Sequence, residues 1–90
     1  MSPYKIEFVK SAAKEFKKLP RAVQNKVTEA LFFLAQNPFS DLLKIKKLRG
    51  ADALYRLRVG EYRIVYEVRQ HVLIIVVIKI GHRKDVYRFL

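Results

Sequence analysis

Arg56, Arg58 and Arg63 lie among apolar residues in the segment 47–66. Arg56 and Arg58 are two positions apart, so a strand would point both to one face, and a tight turn at residues 60–61 would bring Arg63 near Arg58. A guanidinium presents five donors in a planar fork, and several on one concave face can bind a phosphate and stabilise charge developing on it. Alternating charge also suits any half-exposed strand, so a solvated sheet face remains the alternative.

A second group of chemically capable side chains lies near the C-terminus, where His82, Arg83 and Tyr87 fall within seven positions. Histidine suits proton transfer near neutral pH. Tyr87 could move a proton or stack on a base. An ordinary surface histidine and a tyrosine packed on the core are the alternatives for this cluster.

A basic connection precedes the arginine segment. It contains Lys44, Lys46, Lys47 and Arg49, whose use would be non-specific contact with phosphates, with simple solubility as the alternative. The whole chain has 19 basic and 8 acidic residues, a net charge of +11. Such an excess repels itself and predicts a polyanionic partner.

Length and composition exclude several classes of protein. Ninety residues form one domain, 1–90, with a single hydrophobic core. The absence of cysteine excludes disulfides and thiolate metal sites and fits a reducing cytoplasm, and two histidines make zinc improbable. We therefore expect no metal and no small-molecule cofactor.

Several sequence signals are absent as well. The longest apolar run, Val72 to Ile78, is too short to span a membrane and predicts a buried strand, so we expect no membrane partner. No glycine-rich phosphate loop or pair of catalytic carboxylates is present, which disfavours nucleotide hydrolysis and metal-dependent nuclease chemistry.

The periodicity of apolar residues predicts β-α-α-β-β-β. The first strand covers about residues 3–9, and a short helix capped by Ser11 continues through Leu19 until Pro20 ends it. A second helix ends at residues 37–38, a connection covers 39–47, and strands follow at roughly 53–59, 62–69 and 72–80. We expect an α+β fold: a two-helix hairpin on a mostly antiparallel sheet of about four strands, with a short C-terminal helix or tail.

Three segments together closely resemble the RelE toxins of the RelE/ParE toxin-antitoxin superfamily. They are Lys47-Leu-Arg-Gly, the run from Tyr55 to Tyr66, and the run from Ile80 to Tyr87. The resemblance covers nearly the whole chain, although its N-terminal motifs are shared with ParE-like relatives. It implies a bacterial or archaeal toxin of a type II system: a ribosome-dependent, metal-independent mRNA endonuclease that cleaves in the A site by attack of a ribose 2′-hydroxyl on the adjacent phosphate.

The resemblance also implies roles for individual residues. Arg63 and Arg83 match arginines that bind and stabilise the phosphate, and Tyr87 matches a C-terminal catalytic tyrosine. Arg56 and Arg58 occupy paired basic positions at which the best-studied relative has lysines. Because arginine does not lose its proton, we assign this pair to substrate binding and charge stabilisation. Proton transfer is left to His82 or Tyr87.

The partners implied by the resemblance are the ribosome with its mRNA and a cognate RelB-like antitoxin. Such an antitoxin is acidic or amphipathic and would lie across the helical hairpin or the basic face. The main alternative function is that of a ParE-like toxin, which inhibits DNA gyrase and would lack the catalytic arginines and tyrosine retained here. A plain RNA-binding module, or a toxin that has lost its activity, is the third.

Overall fold

The computed structural model describes residues 3–40, 43–48, 54–82 and 84. The elements in these ranges are β1 (Lys5–Phe8), α1 (Lys10–Lys17), α2 (Arg21–Gln36), β2 (Ile45–Lys47), β3 (Leu54–Val59), β4 (Tyr62–Arg69) and β5 (Ile74–His82). The strands form one sheet in the order β1-β5-β4-β3-β2, parallel between β1 and β5 and antiparallel elsewhere. The predicted α+β fold is confirmed, with five strands instead of about four.

The extra strand is β2, which lies in the segment predicted as a connection. Its three residues pair with β3, placing Ile45 opposite Leu57 and Lys46 opposite Arg56. A three-residue strand is too short to show alternation in the sequence. Its pairing with β3 defines it.

The core lies between the two helices and one face of the sheet. The buried side chains that form it come from α1, α2, β3, β4 and β5: Ala12, Val27, Leu31, Leu34, Leu57, Ile64, Tyr66, Val68, Ile75, Val77 and Ile80. In β4 the core residues alternate with Arg63 and Val65, which face the other way, as the period-two pattern predicted. Neither described helix is long and apolar enough to cross a membrane.

The corner between the helices differs from the prediction. Val9, in extended conformation, occupies the cap position of α1 without a side-chain hydrogen bond, so the prediction of a Ser11 cap is wrong. The helix ends at Lys17, and Pro20 precedes α2 instead of ending α1. The Gln24 side chain closes the corner by donating to the carbonyls of Phe16, Lys17 and Leu19 at 3.1, 3.2 and 3.1 Å. The Phe16 carbonyl also accepts from the Leu19 amide at 3.1 Å, so the Gln24 side chain ties the end of α1 and the residues after it to α2.

The turn between β4 and β5 is longer than predicted. Val72 and Leu73 belong to it and are 49% and 46% exposed, so the prediction of a buried strand from Val72 is wrong at its first two residues. Leu73 adopts a positive φ of 55°, a left-handed conformation that cannot continue a strand. The strand therefore begins at Ile74 and extends to His82, two residues past the predicted end.

Candidate nucleic-acid interface

The arginines meet on the face of the sheet that the helices leave uncovered. Arg58 on β3 lies directly opposite Arg63 on β4, and Arg56, two residues earlier on β3, shares their face. The predicted grouping of the three is confirmed. Like charges directly opposite each other are destabilising in a sheet, so packing of the fold does not account for this pairing.

Arg63 is the buried member of the group, with 6% of its surface exposed. Its Nη1 donates to the carbonyls of Gly60 and Tyr62 at 3.4 and 3.3 Å. Its Nε is buried and has no hydrogen-bond partner in the described part of the chain, where no carboxylate forms an ion pair with it either. A buried cation without a counter-charge is costly, and a bound anion would compensate for it.

The β3–β4 turn brings the two paired guanidinium groups together. The carbonyl of Gly60 accepts from Arg58 Nε and from Arg63 Nη1, both at 3.4 Å. Gly60 has a positive φ of 60°, as the first central residue of a two-residue type II′ hairpin requires. Both contacts are long for N–H···O hydrogen bonds, so the turn orients the guanidinium groups without using all their donors. The turn was predicted, but this role of a main-chain carbonyl has no signal in the sequence.

Strand β2 extends the arginine face. A depression of about 390 Å³ is lined by Lys44, Ile45, Lys46, Arg56, Arg58 and Arg63. Five of these six residues are cationic and none is acidic, so the positive potentials of their side chains add within the depression. We call it the cation-lined depression, and its charge and its hydrogen-bond donors suit phosphate groups.

The predicted basic connection is divided by its strand structure. Lys44 and Lys46 line the cation-lined depression. Lys47 lies opposite Tyr55, so its side chain is on the other face of the sheet, away from the arginines. Arg49 lies outside the described residues.

The predicted C-terminal cluster is only partly described. Gly81 lies opposite Arg63, and His82 lies opposite Tyr62, with its ring edge-on to the tyrosine at a centroid distance of 5.8 Å. Alternation therefore places His82 on the opposite face of the sheet from the arginines. Its Nδ1 accepts a hydrogen bond from the Lys84 amide at 3.4 Å. Arg83 and Tyr87 lie outside the described residues.

Comparison with known proteins gives consistent matches along the chain. A family model described as the ParE toxin of the type II toxin-antitoxin system parDE matches residues 6–87. Toxin RelE3 of Methanocaldococcus jannaschii is 33% identical over 87 residues, which span 94% of this chain and 97% of that one. The mRNA interferase toxin RelE of Escherichia coli K12 is 31% identical over 83 residues, spanning 90% and 84%.

Solved structures share the architecture. The chain is similar, with a TM-score of 0.79 and 28% sequence identity, to a chain in the crystal structure of the archaeal RelE-RelB complex from Pyrococcus horikoshii OT3. The match covers 90% of this chain and 96% of that one. Both the sequence and the fold therefore match over almost the full length of the relatives.

Proposed function

Because the chain belongs to the RelE/ParE superfamily of toxins from type II toxin-antitoxin systems, we propose that it is an mRNA interferase that cuts mRNA in the ribosomal A site. The observation that carries the proposal is Arg63, a buried cation that lines the cation-lined depression and whose Nε has no hydrogen-bond partner in the described part of the chain. A phosphodiester would supply a negative charge and acceptors beyond the two carbonyls that Arg63 already contacts. The name mRNA interferase, carried by a relative of 31% identity, supports the same chemistry.

The proposed reaction uses the RNA's own nucleophile. The 2′-hydroxyl of a ribose attacks the adjacent phosphorus, the bond to the 5′-oxygen of the next nucleotide breaks, and a cyclic phosphate remains on the first. The hydroxyl proton leaves during attack, and the departing 5′-oxygen takes up a proton. Negative charge accumulates on the non-bridging oxygens, where Arg58 and Arg63 would donate and Arg56, Lys44 and Lys46 would add positive potential.

Alignment and electrostatics account for much of the rate in this proposal. An arginine stays protonated throughout, so the depression holds and stabilises the phosphate without moving protons. Resemblance to the family adds Arg83 as a further phosphate-binding arginine and Tyr87 as the catalytic tyrosine. We assign no proton transfer to His82, because its ring lies against Tyr62 on the opposite face.

Ribosome dependence is part of the proposal, because the cation-lined depression offers little that would select one strand over another. A depression lined only by cations makes little sequence-specific contact with a single strand, since phosphate contacts position a nucleic acid without reading its bases. The net charge of +11 favours a cleft formed by rRNA, which would then present the mRNA to the arginines.

The proposed partner in the resting cell is a RelB-like antitoxin. It is supported by the similarity to a chain of a RelE-RelB complex. An antitoxin with an acidic segment would neutralise part of the excess positive charge of the toxin. The reading frame beside the toxin gene should therefore encode a small protein with an acidic half.

A matched pair of reporter messages tests the proposal. The two reporters differ only in the start codon, which is intact in one and removed in the other, and each is mapped by primer extension after the toxin is induced. We expect new 5′ ends inside the reading frame of the translated message and none in the untranslated one. Growth arrest with both messages intact would refute mRNA cleavage, and equal cutting of both would refute ribosome dependence.

A ParE-like inhibitor of DNA gyrase is the second candidate, because the matching family model is that of the ParE toxin. The two functions separate in the same induced cells. Gyrase-dependent DNA breaks with intact mRNA would support the ParE-like function, whereas cut mRNA with intact chromosomes supports the interferase.

A further inference from the structure

Glu15 lies on the face of α1 that meets the sheet. Its side chain connects the helix to the end of β5, the strand that pairs with β4. Its Oε1 accepts a hydrogen bond from the Ile80 amide at 3.2 Å, and its Oε2 forms an ion pair with Lys79. Both carboxylate oxygens are thus committed to two consecutive residues of β5, 64 and 65 positions away in sequence.

The Glu15 carboxylate contacts an edge of β5 that no strand covers among the described residues. The pairing between β1 and β5 ends at Phe8 and Val77, where the Val9 amide donates to the Val77 carbonyl at 3.0 Å. Beyond Val77, the outer edge of β5 has no neighbouring strand among the described residues. Free edge amides need acceptors, and Glu15 supplies one to Ile80.

The contact falls directly after an irregularity in the sheet. Val65 lies opposite Lys79 and Tyr66 opposite Val77, which leaves Ile78 as an extra residue in β5. A bulge of this kind re-aims the residues that follow it, and a slip of one position would exchange the faces of those residues. Glu15 contacts the first two residues after the bulge, so it holds the register of the end of β5.

That register matters for the cation-lined depression. It sets Gly81, which has no side chain, opposite Arg63, and it turns the His82 ring away towards Tyr62. The slipped alternative would put a side chain over the Arg63 guanidinium, in the space that a phosphate needs. We infer that Glu15 is a positioning residue for the reaction under Proposed function, on which this inference rests: it fixes the end of β5 and thereby keeps the approach to Arg63 open.

Glu15→Ala and Glu15→Gln in the full-length toxin, assayed on ribosomes loaded with mRNA, test the inference. Glutamine keeps an acceptor for the Ile80 amide and loses the charge that pairs with Lys79. Glu29→Ala is the matched control, because Glu29 is an exposed glutamate in the interior of α2. The readouts are the single-turnover rate at saturating ribosomes and the ribosome concentration giving half that rate, both well below the unfolding temperature.

We expect Glu15→Ala to lower the saturating rate about tenfold or more, because a small misplacement near a reacting phosphate is costly. The half-saturating concentration should stay within about twofold, since the outer basic surface that meets rRNA is unchanged. Glu15→Gln should recover most of the rate. A Glu15→Ala rate equal to that of Glu29→Ala, or a Glu15→Gln rate as low as that of Glu15→Ala, would overturn the inference.

A structural readout separates this inference from the proposed function. Amide hydrogen exchange at Ile80 and the cross-strand contact between Arg63 and Gly81, followed by NMR in the toxin alone, should both be disturbed in Glu15→Ala and preserved in Glu29→Ala. Unchanged exchange and contact would refute the positioning role even if the wild-type toxin cuts mRNA. Failure of the wild type to cut would refute the nuclease proposal instead, whatever the NMR shows.

Discussion

Arg63 and Tyr66, three residues apart on β4, each bury a polar atom that has no hydrogen-bond partner in the described part of the chain. Tyr66 is fully buried on the helix side, where its ring stacks on Tyr55 at a centroid distance of 5.8 Å. Arg63 faces the other way, among the cations. Both side chains lose hydration on burial, but Tyr66 is a phenol and Arg63 is a cation.

The desolvation cost is small for the tyrosine and large for the arginine. Burial, and to a smaller extent the neighbouring Tyr55, raise the pKa of Tyr66, so it remains a neutral phenol that lacks one hydrogen bond, at a cost of about 1–3 kcal/mol. Arg63 remains charged at any physiological pH. Ring packing accounts for Tyr66, whereas no carboxylate in the described part of the chain forms an ion pair with Arg63. The contrast is the strongest physical argument for an anion site on this face.

The largest effect is expected for Arg63→Met, which keeps the apolar length of the side chain and removes the charge. Cleavage of mRNA on loaded ribosomes should fall by about 10²–10³-fold, because a preorganised donor to the scissile phosphate is lost. The free energy of unfolding in urea should be unchanged or higher by about 1 kcal/mol, because an unpaired buried cation is removed. Arg21→Met, at the exposed start of α2, is the control and should keep full activity.

The opposite result would assign Arg63 to the fold. Suppose that the Arg63→Met toxin cuts mRNA normally but unfolds at a much lower urea concentration. Arg63 would then stabilise the fold through its hydrogen bonds to the Gly60 and Tyr62 carbonyls. Arg63 would then resemble Tyr66, as a buried polar group with a packing role.

A smaller effect is expected for Arg58→Ala, which removes the exposed partner of the arginine pair. We expect a loss of activity of about tenfold and a change in stability within about 0.5 kcal/mol, as is usual for exposed positions. Binding to ribosomes should also depend less on salt, and the slope of log affinity against log salt should become shallower by about one. An unchanged slope would place Arg58 outside the phosphate contacts.

Tyr66→Phe examines the helix side of the comparison through pH. The folded state keeps the proton above pH 10.0, the ordinary pKa of tyrosine, while the unfolded state releases it, so wild-type stability declines as the pH rises past that value. Each pH unit in that range should cost about 1.4 kcal/mol for this one proton. The Phe variant lacks this contribution, so its stability relative to wild type should rise with alkaline pH while cleavage is unaffected. A constant difference across pH would mean that the phenol is solvated.

Local alternation made one part of the molecule predictable. The shared face of Arg56 and Arg58, and the opposite face carried by Tyr62, Ile64 and Tyr66, follow from a period of two within single strands. The structure agrees with both. The helical hairpin was equally predictable from the sequence, because the apolar spacing in α2 continues without interruption to Asn37.

Features that depend on contacts between distant segments were not predictable. Lys46 joins Arg56 only because β2 pairs with β3, and three residues carry no periodic signal. The Glu15 contact with Ile80 joins positions 65 apart and lies beside an irregularity that no residue pattern marks. The same irregularity fixes which face the end of β5 presents, so the separation of His82 from the arginines was also hidden.

His82→Ala should have the smallest effect, and it tests whether His82 of the predicted C-terminal cluster transfers a proton. Its ring lies edge-on to Tyr62 on the face away from Arg63, and its Nδ1 accepts from the Lys84 amide. A general acid or base contributes at least about 10²-fold, so a variant within about twofold of wild type excludes that role. The pH-rate profiles of the two proteins should then coincide, because the His82 imidazole takes no part in the reaction. A loss of 10²-fold would instead require the end of β5 to rotate by one face on the ribosome, which the Glu15 contact opposes, so Glu15→Ala should then accelerate cleavage instead of slowing it.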